Sequence, residues 1–109
     1  MQIKISLILA WTLSYSAQAE EMERQTMTSC AYQAGTAREI QTIRQTEGDE
    51  WSQFEKKIKE IYKNGQGRHD LLIIAQSVYE QPRDTSVDMV YSTMFEMCTE
   101  RTKAANNVS

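Results

Sequence analysis

His69 stands beside Asp70, and an imidazole next to a carboxylate is the smallest unit from which general acid–base chemistry is built. It is the only histidine in the chain, and its neighbours Asn64-Gly65-Gln66-Gly67 read as a polar turn, where a histidine is exposed or caps a helix. No Ser, Cys or Thr lies next to it to serve as an activated nucleophile. Gly65-x-Gly67 lacks the preceding strand and the remaining glycine of a phosphate-binding fingerprint. Glu96 and Glu100 form an i, i+4 carboxylate pair, but on what should be a wet helix face, whereas paired carboxylates do acid–base work in apolar sites. Met94-x-x-Met97 beside Cys98, with Met89 nearby, offers thioethers to Cu(I). Core filling is the stronger reading of these methionines, because soft-metal sites normally need three convergent ligands. The expectation is a non-enzyme without a cofactor, with a small-molecule or copper carrier as the alternative.

The two cysteines, Cys30 and Cys98, carry more information. Their separation rules out a redox-active Cys-x-x-Cys, and no histidine is close enough for a zinc motif. Met1-Gln2-Ile3-Lys4, the apolar run Ile5–Leu13 and the small-residue signature Ala17-Gln18-Ala19 have the form of a secretory signal peptide, cleaved after Ala19. The apolar run is far short of the roughly 20 residues a membrane span needs. The residue directly after the cleavage site is Glu20 and not a cysteine that could carry a lipid. An even cysteine count in an exported chain predicts a disulfide, and the expected location is the periplasm or the exterior. In the chain-entropy model such a long closure stabilises by roughly 4 kcal/mol.

Charge narrows the choice of partner. Of 12 basic and 15 acidic residues, only Lys4 leaves with the first 19, so 11 face 15 and the mature net charge is −4 with His69 neutral. Nucleic acid needs a basic face and is not an expected partner. Lys56, Lys57, Lys59 and Lys63 crowd one segment, alternating with Glu55 and Glu60 as on a solvated helix. Another envelope protein is the expected partner, met by a surface that includes Tyr32, Lys56, Lys59, Lys63 and Tyr91.

These side chains need helices to hold them. Residues 21–46 contain no proline and place Cys30, Ala34, Ala37 and Gln41 on one stripe, flanked by Met27, Ala31 and Ile40. Gly35 beside the stripe suits close helix approach, while Arg38, Glu39 and Arg44 are expected to point outward or to the flank. Gly48 suits the C′ position and Asp49 the next N-cap. Trp51, Phe54, Ile58, Ile61 and Tyr62 repeat with helical period across 50–63. Gly65 and Gly67 are expected to stop that helix with positive φ. Asp70 then caps a short helix to Gln81, apolar on most sides through Leu71, Leu72, Ile73, Ile74, Ala75 and Val78, and so expected at the centre. Pro82-Arg83-Asp84 turns the chain, and Thr85-x-x-Asp88 resembles a capping box. A last helix over 86–103 presents Val87, Val90 or Tyr91, Met94 and Cys98, with Phe95 adjacent. The prediction is all-α: a compact domain (20–103) of about four short helices closed by one disulfide, between a signal peptide (1–19) and a flexible tail (104–109). The Asn107-Val108-Ser109 glycosylation triplet at the chain end carries little weight.

Cys30-Ala31-Tyr32-Gln33-Ala34, Val78-Tyr79-Glu80-Gln81-Pro82 and the closing Cys98 resemble the pattern of a group of small exported bacterial helical proteins with two cysteines and no assigned function. The resemblance implies an all-helical, disulfide-closed chain and adds no site. Tyr79 puts a large amphipathic ring just before the proline that ends its helix.

Overall fold

The computed structural model describes the backbone of residues 2–108 and the side chains of Glu20, Glu21 and 23–105. Four helices follow one another: α1 (Gln2–Glu47), α2 (Trp51–Ile61), α3 (Gln66–Tyr79) and α4 (Val87–Val108). No strand occurs among the described residues, so the all-α class holds. Backbone from the expected signal segment runs into α1 as continuous helix, and its side chains lie outside the described residues. α4 passes Lys103 and stays helical to Val108, while the side chains of the glycosylation triplet lie outside the described residues. No helix among the described residues is long and apolar enough to cross a membrane.

The most extensive contact is α1 with α4. Cys30, Ala34, Ala37 and Gln41 are all buried, and small residues at this spacing let α4 lie close with Val90, Met94 and Cys98 facing them. A Cys30–Cys98 disulfide joins the two helices, and an Arg38–Asp88 ion pair at 3.0 Å lies farther along the same seam. These pairings make α4 antiparallel to α1. α3 packs on another side of α1, and α2 packs on α3 through Trp51, Phe54 and Ile58. Substantial contacts thus run in the order α4, α1, α3, α2.

Several local expectations change. The short apolar helix is not the centre: Ala75 and Val78 are buried, but Leu71, Leu72 and Ile74 are only half-buried and Ile73 is exposed. α1 holds the middle instead, because its small stripe can take neighbours on two sides. α3 begins at Gln66 with Gly65 ahead of it, which leaves Gly67, His69 and Asp70 inside the helix. Only Gly48 has positive φ among the described residues (73°), and its amide donates to the Arg44 carbonyl to close α1. Asp49 does not cap α2. Glu50 occupies that position, and its amide donates to Gln53 Oε1 at 2.9 Å. Asp49 instead accepts from Lys57 Nζ at 2.6 Å, and Glu47 accepts from the same ammonium at 3.3 Å. Those two carboxylates, Asp49 first, hold the Lys57 pKa above its ordinary value. At α4 the cap is Ser86, whose Oγ accepts from the Met89 amide at 3.1 Å, not Thr85 with Asp88. The aromatic stripe of α2 ends early, because Ile61 is 71% exposed and Tyr62 also faces solvent. A methyl group added at Gly35 would meet nothing within 4 Å among the described residues, so none of them uses the room it leaves.

Candidate functional site

Gly48 turns the chain from α1 into α2, and near that turn both helices are tied to α3 by side chains that include Arg44, which the stripe places outward or on the flank. Arg44 is 7% exposed. Its Nη1 lies 2.9 Å from the Gln81 carbonyl, 3.2 Å from the Val78 carbonyl and 3.3 Å from Gln41 Oε1. The guanidinium therefore sits at the C-terminal end of α3, where free carbonyls carry partial negative charge. Its carbon stands 4.6 Å from the centre of the Tyr79 ring, a cation–π arrangement. Gln41, fully buried, donates through Nε2 to the carbonyls of Arg83 (3.0 Å) and Thr85 (2.8 Å). Tyr79 completes the knot: Trp51 and Phe54 each lie 5.5 Å from its ring, and its hydroxyl donates to the Asp49 carbonyl at 3.3 Å. Burial raises the Tyr79 pKa, against the opposing pull of Arg44. Arg44 follows Gln41 by three residues on the Cys30–Ala34–Ala37–Gln41 stripe, so its place inside was present in the periodicity and hidden by its charge. Arg44 Nε has no hydrogen-bond partner.

Away from the Gly48 turn α1 and the loop after α2 stand apart on either side of α3. Tyr32, Thr36 and Glu39 of α1 face Tyr62 and Lys63 beyond the end of α2, across a floor formed by Leu71 and Ile74 of α3. The space between them is a groove of about 630 Å³. A smaller hollow of about 360 Å³ adjoins it, sharing Tyr32, Asp70 and Ile74, and Arg101 of α4 lines its far side. Tyr32 is 76% exposed between the two. Arg68 closes the end of α2 by donating to the carbonyls of Lys59 (3.5 Å) and Tyr62 (3.4 Å). Asp70 accepts from Gln66 Nε2 at 2.7 Å.

Of the residues proposed from sequence as a partner surface, Tyr32 and Lys63 share the groove. Lys56 and Lys59 are exposed on α2 and line neither hollow, and Lys59 pairs with Glu55 at 3.6 Å. Tyr91 is half-buried, stacks on Phe95 with ring centres 6.3 Å apart and lines neither hollow. Cys30 and Cys98 are buried and bonded to each other. His69 is exposed in the first turn of α3. Met94 is buried in the core while Met89 and Met97 are exposed, which separates the three thioethers considered for copper. Among the described residues no three His, Cys, Asp or Glu side chains converge as a metal cage. The groove's floor was legible only as half of an apolar stripe; its walls come from residues far apart in the chain.

Comparison with protein-family models, with curated proteins and with solved structures gives no match to this chain.

Proposed function

We propose that this is an exported, non-enzymatic helical protein that acts by binding another protein in the bacterial cell envelope, in the manner of an immunity or inhibitor protein or a small stress chaperone. One observation carries the reading: an open groove with a half-apolar floor and an exposed tyrosine on its rim, held on a disulfide-closed scaffold. Concave sites of a few hundred cubic ångströms are where proteins commonly hold what they bind, and this one sets the apolar Leu71 and Ile74 among the charged Glu39, Lys63, Arg68 and Asp70. A large aromatic already exposed on a rigid helix loses little entropy on contact and is the residue type that anchors interfaces. The disulfide fits an oxidising compartment.

A photo-crosslinking amino acid at position 32, in chain expressed with its leader, tests this. The expected result is one discrete crosslinked protein, absent when the same probe replaces Tyr91. Equal, diffuse labelling from both positions would end the reading.

A further inference from the structure

α2 and α3 form an antiparallel pair that is attached to the rest of the chain at one end. At that base Trp51 and Phe54 lie against Tyr79; at the opposite tip Arg68 donates to the carbonyls of Lys59 and Tyr62. The connection from α1 runs through Gly48 and the connection to α4 through Pro82. The two lie side by side, with Arg83 Nη2 2.6 Å from Glu50 Oε1. The base is fastened by Arg44 to the Val78 and Gln81 carbonyls, by the Tyr79 hydroxyl to the Asp49 carbonyl and by Lys57 to Glu47 and Asp49. Among the described residues, 59–77 make no hydrogen bond or ion pair with α1 or α4; Gln66, Arg68 and Ser77 bond within the pair. The helices α1 and α4 are tied to each other by the disulfide and by the longest seam in the fold. The molecule is therefore a braced body, α1 with α4, carrying an arm, α2 with α3, that is held at its base alone.

Charges of opposite sign face each other across the gap between arm and body. Glu39 of α1 stands across the groove from Lys63 at the arm's tip, and Arg101 of α4 stands across the adjoining hollow from Asp70 of the arm. All four are exposed and none is in an ion pair among the described residues. Asp70 keeps its charge while it accepts from the neutral Gln66 amide. Leu71 and Ile74 are half-covered in the same gap, and Tyr32 stands exposed beside them. One inward movement of the tip toward α1 narrows both hollows, shortens both charge pairs and shields apolar surface.

We infer that the α2–α3 arm turns about the Gly48 and Pro82 connections, between the open position of this structure and a closed one. In the closed position Lys63 meets Glu39, Asp70 meets Arg101, and Tyr32 covers Leu71 and Ile74. Segments at the ends of elements absorb such hinge motions. Exposed ion pairs are weak and screened by salt, so closure is a shift in the population of two positions. This concerns how wide the groove stands, goes beyond the protein-binding reading and stands without it.

The test is a distance measurement between spin labels carried on p-acetylphenylalanine at Thr28 and Asn64, which leaves the native disulfide untouched. Both positions are exposed and line neither hollow. Two distances are expected. The shorter should gain at 0.1 M salt, where the screening length is about 10 Å, and recede at 1 M, where it is about 3 Å. Lys63→Glu, and separately Arg101→Glu, should each lower the ratio of short to long about twofold to fivefold, the worth of one exposed ion pair. Adding Glu39→Lys to Lys63→Glu should restore it. Labels at Thr28 and Ser92, both on the braced pair, should give one distance under every condition. A single Thr28–Asn64 distance unmoved by salt and charge would overturn the inference. So would two distances that charge reversal leaves in place, a charge swap that restores nothing, or two distances between Thr28 and Ser92.

Discussion

Two ends of the α1–α2–α3 layer are built from the same three helices and behave oppositely. Near the Gly48 turn, Gln41 and Arg44 reach into the end of α3, and Trp51, Phe54 and Tyr79 interlock beside them. At the other end Tyr32, Thr36 and Glu39 face Tyr62 and Lys63 with a groove between. A three-residue connection forces neighbouring helices together only at its own end. Staying together needs small or interlocking side chains, which α1 and α4 have at Ala34, Ala37 and Val90 and which the groove walls lack. Closeness here is thus a property of each seam and its residues. The open end is where Leu71 and Ile74 stay only half covered.

The largest effect should come from the α1–α4 seam. Cys30→Ser with Cys98→Ser is expected to cost about 4 kcal/mol in urea denaturation. A loss under about 1 kcal/mol would mean that the small-residue packing holds the seam by itself, the usual fate of disulfides whose unfolded state stays compact.

Arg44→Met addresses the closed end, near the Gly48 turn. It leaves the Gln81 carbonyl and Gln41 Oε1 without their donor, and the expected loss is about 2–3 kcal/mol. Amide exchange should quicken at the end of α3, with the α1–α4 seam unaffected. Unchanged exchange there would show that the aromatic cluster closes this end without the guanidinium.

The smallest expected effect is a pH dependence. Burial raises the Tyr79 pKa in the folded state, so the folded chain holds that proton more tightly than the unfolded one. The resulting stability is complete below the unfolded value near 10 and is lost as pH rises through the folded value. Lys57, also raised, by Asp49 and Glu47, acts in the same direction. Stability measured from pH 9 to 11 should therefore fall, and Tyr79→Phe should make the decline shallower. An identical slope in the variant would place the alkaline sensitivity elsewhere.

Much of this was legible in residue order. The Cys30–Ala34–Ala37–Gln41 stripe, Gly48 at the end of α1 and the Trp51–Phe54–Ile58 face each follow from local periodicity or backbone freedom, and each lies where that physics puts it. The misjudged positions share a cause: they depend on a neighbour from another segment. Arg44 is buried because the carbonyls at the end of α3 take its protons, which no residue near it in sequence reveals. Ile61 and Tyr62 are exposed because no helix arrives to cover the end of α2, although their spacing is that of a core face.

What the sequence by itself determined is the helical class, the sulfur link and the buried stripes of α1 and of the first turns of α2, since propensity, capping and hydrophobic period act within a few residues. Tertiary structure alone decided which helix sits in the middle, that Gln41 and Arg44 tie α1 to the end of α3, and that a groove remains between Tyr32 and Lys63. Those outcomes depend on how side-chain volumes and backbone acceptors meet across elements, and that information is held by pairs of segments.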